Sequence, residues 1–194
     1  MDLRGKVKNY FANITDLSIE ETILRAIEFF GEDKIVFASS LGIEDQVLTH
    51  IIRNLDRNIE IFTIDTGRLF YEAYETIVKT ETRYNFRYKI YFPDYREVEK
   101  VVYEKGINFF YESIENRKIC CEIRKIEPLK RALRGKDCWI TGLTRYQSVT
   151  RESIELIGWD DVNGLFKLNL IMCHIMFYMI KVMQVLVVNL VLEL

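Results

Sequence analysis

Ile35-Val-Phe-Ala38, then Ser39-Ser-Leu-Gly42, then Ile43-Glu-Asp-Gln-Val-Leu48 constrains this chain more than any other stretch. Four apolar residues in a row read as a buried strand. Ser39 to Gly42 read as a short turn, and Glu44 and Asp45 as the acidic opening of a helix. A strand that ends on hydroxyl residues and a glycine just before a helix makes an anion site. The first backbone N–H groups of the helix lack internal partners, and the helix dipole is positive at that end. Ser39 and Ser40 add hydroxyl donors, and Gly42 lets an oxyanion approach the backbone. The same residues also suit an ordinary strand-to-helix turn with a serine cap.

The rest of the chain repeats the pattern of strand followed by helix. Residues 1 to 17 read as a short helix and a loop. Ser18-Ile-Glu-Glu21 is a capping box for a helix that ends at Gly31. Further strands are expected at Ile59–Ile64, Tyr88–Tyr91 and Cys138–Thr141, with helices to about Asn54 and over Tyr71–Tyr84, Glu97–Tyr103 and Cys120–Leu133. This alternation predicts an α/β fold: a parallel sheet with helices on both faces. Ligands of such sheets bind beyond the C-terminal strand ends. The turns at Ser39, Asp65 and Gly142 are expected on that one edge.

Composition narrows the function classes. With 194 residues and 29% charged side chains, the chain has room for one soluble domain with a real core. A formal net charge of -2 provides no broad basic field, so nucleic acid is not the expected partner. The polar start Met1-Asp-Leu-Arg-Gly-Lys6 is no signal peptide. Four cysteines, two of them adjacent, suit reduced thiols or metal ligands in the cytoplasm better than a secreted disulfide framework.

Three further clusters carry chemistry. Asp65-Thr66-Gly67-Arg68 follows a strand: Asp65 can accept ribose or base hydrogen bonds and Arg68 can hold an anion, or Asp65 can simply cap the next helix. Gly142-Leu-Thr-Arg-Tyr-Gln-Ser-Val-Thr-Arg151 brings Arg145, Gln147, Ser148 and Arg151 to the same edge, and Arg suits phosphate or sulfate. It also reads as a solvated basic loop. Cys120-Cys121-Glu-Ile-Arg-Lys125 can supply half of an iron–sulfur site, with Arg124 and Lys125 favouring thiolates. The plain alternative is one buried and one exposed thiol. Cys138, in a strand, and Cys173, in the tail, read as non-ligands, and His50 as structural.

Taken together, four runs resemble the assimilatory adenylyl-sulfate (APS) reductases of the phosphoadenylyl-sulfate reductase family. They are Ser39-Ser-Leu-Gly-Ile-Glu-Asp-Gln, Ile64-Asp-Thr-Gly-Arg-Leu-Phe, Cys120-Cys-Glu-Ile-Arg-Lys-Ile-Glu-Pro-Leu-Lys-Arg-Ala-Leu and Trp139-Ile-Thr-Gly-Leu-Thr-Arg-Tyr-Gln-Ser-Val-Thr-Arg. The resemblance spans about residues 20 to 169 and implies an adenine nucleotide α-hydrolase-like sheet. It implies reduction of adenylyl sulfate to sulfite and AMP, with thioredoxin or glutaredoxin as electron donor. Ser39, Ser40 and Gly42 would face the nucleotide phosphate. Asp65, Thr66, Gly67, Arg68, Gly142, Arg145, Gln147, Ser148 and Arg151 would line the substrate pocket. Cys120 and Cys121 would hold half of a 4Fe–4S cluster, with Lys125 between cluster and substrate. The paired cysteines favour the APS branch over a phosphoadenylyl-sulfate reductase. Thr144 stands where the family usually has Arg, and Tyr146 where an acidic residue is common. The resemblance leaves a homo-oligomer open.

Past Asn169 the resemblance stops, which divides the chain into a reductase-like domain, 1–169, and an aberrant apolar tail, 170–194. The tail has the length of a membrane span, interrupted by His174, Lys181, Gln184 and Asn189. The preferred reading is an out-of-frame segment and no genuine membrane span. Codons permitted for Ile175 to Leu194, read one base earlier, can spell a run containing Gly-Cys-Lys-Pro-Cys. The family's second cysteine pair and its catalytic cysteine are then missing, the cluster is incomplete, and the chain is expected to be inactive as written. Competing readings are another nucleotide α-hydrolase-type ATP-using enzyme and a tail-anchored nucleotide-binding module.

Overall fold

The computed structural model describes residues 3–12, 17–143 and 155–171. In chain order the elements are α1 (Leu3–Phe11), α2 (Ile19–Phe30), β1 (Ile35–Ala38), α3 (Ile43–Asn54), β2 (Glu60–Ile64), α4 (Tyr71–Tyr84), β3 (Lys89–Tyr91) and α5 (Tyr95–Lys105). Then follow α6 (Ile114–Cys121), a π-helical turn (Glu122–Ile126), α7 (Glu127–Leu133), β4 (Cys138–Leu143), β5 (Ile157–Asp160) and β6 (Leu165–Ile171). The chain divides into two compact units, residues 1–60 with 136–194, and residues 61–135.

In the first unit β1 runs parallel to β4, pairing Ile35 with Cys138 and Ala38 with Thr141. β4 runs parallel to β6, pairing Cys138 with Phe166 and Leu143 with Ile171. β5 runs antiparallel to β6, pairing Ile157 with Leu168. The sheet is therefore mostly parallel with one antiparallel edge. The expected parallel sheet is present, and it carries this hairpin as well, whose turn is fixed by Asp160: its Oδ1 accepts from the Val162 and Asn163 amides, and Gly164 supplies the left-handed residue. β6 continues through Leu170 and Ile171, two residues past the boundary at 169 that the sequence suggests.

Burial follows from the pattern of each element. Ile35, Val36 and Phe37 are buried in succession, as befits a strand covered on both sides, and Val47, Leu48, Ile51 and Ile52 form the inward stripe of α3. α2 starts with the expected capping box: the Ser18 hydroxyl accepts from the Glu21 amide at 3.2 Å, and the Glu21 carboxylate accepts from the Ser18 amide at 2.8 Å. Tyr10, Phe11, Phe29, Phe30, Phe166 and Trp159 form a run of stacked, tilted and edge-to-face ring contacts that joins α1 and α2 to the β5–β6 hairpin.

In the second unit β2 and β3 pair in parallel, Phe62 with Lys89 and Ile64 with Tyr91. Sequence reading places a single helix over Cys120–Leu133, whereas the helix starts at Ile114, capped by the Ser113 hydroxyl on the Asn116 amide at 3.0 Å. It then widens into the π-helical turn. Pro128 explains the widening: it has no N–H for the carbonyl four residues back, that of Arg124, and its ring would press on that carbonyl.

Candidate functional site

β1 ends in the Ser39–Gly42 turn, and Gly42 caps α3 with extended backbone and no side-chain cap. The left-handed residue of the turn is Leu41, at φ 66°, not the glycine. A leucine held there stores strain of roughly 1–2 kcal/mol, which tends to persist at functional turns. Hydrogen bonds hold it: the Leu41 amide donates to Ser39 Oγ at 3.2 Å and the Gly42 amide to Ser40 Oγ at 3.3 Å.

Asp45 ties this turn to the helix. Its Oδ2 accepts from both the amide and the hydroxyl of Ser40, each at 2.6 Å. The side chain is only 4% exposed. Oδ1 is buried against the Gly142 backbone, and a Cβ on Gly142 would collide with it. Burial pushes the Asp45 carboxyl above its ordinary range, and the Ser40 hydroxyl and amide pull it partly back. Thus Ser39, Ser40, Gly42 and Gly142 come together in the first unit around a buried carboxyl that the sequence reading did not single out. Its position three residues past the cap, on an otherwise apolar helix face, is the signal that could have found it.

In the second unit the loop after β2 is fixed just as tightly. The Asp65 amide donates to the Tyr91 carbonyl at 3.0 Å. Asp65 Oδ1 accepts from the Gly67 amide at 2.7 Å and Oδ2 from the Tyr74 hydroxyl at 2.8 Å. Arg124, 8% exposed, reaches up from the π-helical turn and donates from Nη1 to the Thr66 carbonyl at 2.7 Å. Arg68 donates to the Ile107 carbonyl at 3.3 Å and to Asn108 Oδ1 at 2.7 Å, with its guanidinium 4.8 Å from the Phe110 ring centroid. Asp65 and Arg68 therefore shape their own loop through internal partners. Tyr74, nine residues from its partner, is the builder that sequence reading missed, and Arg124, expected to favour the thiolates, donates instead to Thr66, fifty-eight residues away.

Cys121 is exposed and Cys120 half-buried at the end of α6, and Lys125 is exposed on the π-helical turn. Among the described residues no group of three metal-ligating side chains exists. Two adjacent thiols fall short of the four thiolates of a 4Fe–4S cluster, so the described residues do not complete that site. Cys138 is buried in β4, and desolvation pushes its thiol up to about 12, which makes it inert. Arg145, Gln147, Ser148, Arg151, Thr144, Tyr146 and Cys173 lie outside the described residues. No helix among the described residues is long and apolar enough to cross a membrane.

The phosphoadenosine phosphosulfate reductase domain matches residues 34–183. An adenosine 5'-phosphosulfate reductase of Allochromatium vinosum is 49% identical over 137 residues, 71% of this chain and 54% of that protein. One of Sinorhizobium fredii is 45% identical over 138 residues, 71% of this chain and 55% of that protein. The chain thus spans about half the length of the curated relatives it matches. Among solved structures, a phosphoadenylyl-sulfate reductase of Candida auris in a phosphate complex superposes with a TM-score of 0.72 at 21% identity, covering 87% of this chain and 80% of that one, a likeness of fold. The chain belongs to the phosphoadenosine phosphosulfate reductase domain family.

Proposed function

We propose that this chain carries the nucleotide-recognition part of an adenylyl-sulfate reductase. The observation that carries the proposal is the Ser39–Gly42 turn, set at an α-helix start that has no side-chain cap, in a chain 49% identical to an adenosine 5'-phosphosulfate reductase. The chemistry suits such a turn. In the reaction a thiolate attacks the sulfur of adenylyl sulfate and an S–S bond forms. The S–O bond breaks and AMP leaves with the electron pair. A second thiol then displaces sulfite and leaves a disulfide. Negative charge develops on the departing phosphate, where a helix N-terminus and serine donors stabilise it. Ser39, Ser40 and the start of α3 would take this phosphate, and Asp45 would hold the turn in shape.

Arg145, Gln147, Ser148 and Arg151 would add contacts to the phosphosulfate. Cys120 and Cys121 would be two of the four ligands of a 4Fe–4S cluster when the others are supplied from beyond the described residues. Thioredoxin or glutaredoxin would be the cytoplasmic dithiol. The paired cysteines favour adenylyl sulfate over its 3'-phosphorylated form. The 194 residues contain four cysteines and no Cys-x-x-Cys pair, so recognition without turnover is expected of the chain by itself.

Equilibrium dialysis under reducing conditions tests this. The chain should retain adenylyl sulfate, release it to AMP, bind the 3'-phosphorylated form more weakly, and produce no sulfite with a dithiol. Cleavage of ATP with pyrophosphate release, and no retention of adenylyl sulfate, would move the chain to the ATP-using class.

A further inference from the structure

We infer that Gly142 and Asp45 form a positioning pair for the Ser39–Gly42 turn: the bare backbone of Gly142 makes room for the Asp45 carboxyl, and the carboxyl holds Ser40 where the turn takes a nucleotide phosphate. This rests on the nucleotide reading above. The β1–β4 ladder ends at Ala38 and Thr141, so Gly142 is the first β4 residue beyond that pairing. The Asp45 side chain, from the start of α3, fills the gap. Its Oδ2 accepts from the Ser40 amide and hydroxyl, each at 2.6 Å, and its Oδ1 lies against the Gly142 backbone. All three residues belong to the first unit.

Space, not conformation, calls for glycine at 142. Its φ is not left-handed, so the backbone itself would suit any residue. A Cβ there would collide with Asp45 Oδ1 and stand 3.2 Å from Leu48 Cδ1. Leu48 is fully buried in the inward stripe of α3 and Asp45 is nearly so, and close-packed side chains have little free room. Only the contact with the carboxyl is too close for any real Cβ, so Asp45 has to swing away. Both Ser40 donors then lose their acceptor. Burial pushes the Asp45 carboxyl up, and the donors of Ser40 and then the Gly142 amide pull it back, as befits one carboxyl shared by the turn and the end of β4. Gly142 thus acts on a ligand through Asp45 and Ser40.

Titration with AMP of the wild-type chain, Gly142→Ala, Asp45→Ala and the double variant tests the pair, at a temperature where melting curves show the chains folded. Gly142→Ala should weaken AMP about tenfold, the loss of one charge-assisted placement, and Asp45→Ala by a similar factor. Adding Gly142→Ala to Asp45→Ala should then change the affinity by less than about twofold, because the oxygen that the methyl meets is gone. Independent costs would instead multiply to about a hundredfold in the double variant. Hydrogen exchange gives a reading without ligand: the Ser40 amide should exchange faster in Gly142→Ala while the Val36 and Phe37 amides stay protected. If Gly142→Ala alone does not fold, a cooperatively melting double variant upholds the pair, and a double variant that also fails to fold overturns it. AMP affinity within about twofold of wild type in folded Gly142→Ala, multiplying losses in the double variant, or unchanged exchange at Ser40 overturns the inference and leaves the nucleotide reading intact. Failure of the wild type to bind AMP overturns that reading itself, and the inference with it.

Discussion

Asp45 contributes to the pH response of the first unit. Its carboxyl is buried, with one oxygen on Ser40 and the other against the Gly142 backbone, and burial raises its pKa above the ordinary 3.8. A carboxyl that ionises less readily in the folded chain than in the unfolded one favours folding in its protonated form. Its contribution is complete below the ordinary value and is lost as pH rises through the raised one. Melting temperature should therefore fall over that interval, and Asp45→Asn should flatten the slope. A variant with the same slope as wild type would show that Asp45 is not the titrating group. Asp45 and Arg124 were also the least legible residues. Each looks like an ordinary charged helix position in sequence, and only the fold brings it to Ser40 or to Thr66. Ser39, Ser40 and Gly42 were legible because adjacency in the chain is enough to build a turn.

At the scale of elements, local signals worked where they were local. The Ser18 capping box, the apolar run of β1 and the periodic stripe of α3 all specify structure within a dozen residues, and each occurs where expected. The β5–β6 hairpin escaped because Lys167 and Asn169 interrupt its second strand. Asn163-Gly164 is the turn signal that could have revealed it. The start of α6 at Ile114 escaped because α6 buries no side chain, so no apolar stripe announces it. Such a helix depends on its cap. Ser113→Ala should cost about 1 kcal/mol locally. Alkylation followed by mass spectrometry should then find Cys120 labelled faster, Cys121 labelled readily in both forms, and Cys138 protected. Equal Cys120 rates in wild type and variant would mean that tertiary contacts, not the cap, hold α6.

For the molecule as a whole, family membership rests on residues 34–183. The Ser39–Gly42 turn is held by Asp45 within the first unit, and the Asp65–Arg68 loop by Arg124 within the second. Cys120 and Cys121 are two thiols, fewer than the four ligands of a 4Fe–4S cluster. The central claim is that the Ser39–Gly42 turn receives the phosphate of an adenosine nucleotide. Calorimetric titration with AMP of the wild-type chain and of Ser40→Ala tests it most directly. Saturable one-to-one binding, weakened about tenfold in Ser40→Ala by loss of the hydroxyl that Asp45 Oδ2 holds to shape the turn, is the predicted result. A wild-type chain that melts cooperatively yet takes up no AMP, or a Ser40→Ala variant that binds it equally well, would contradict it.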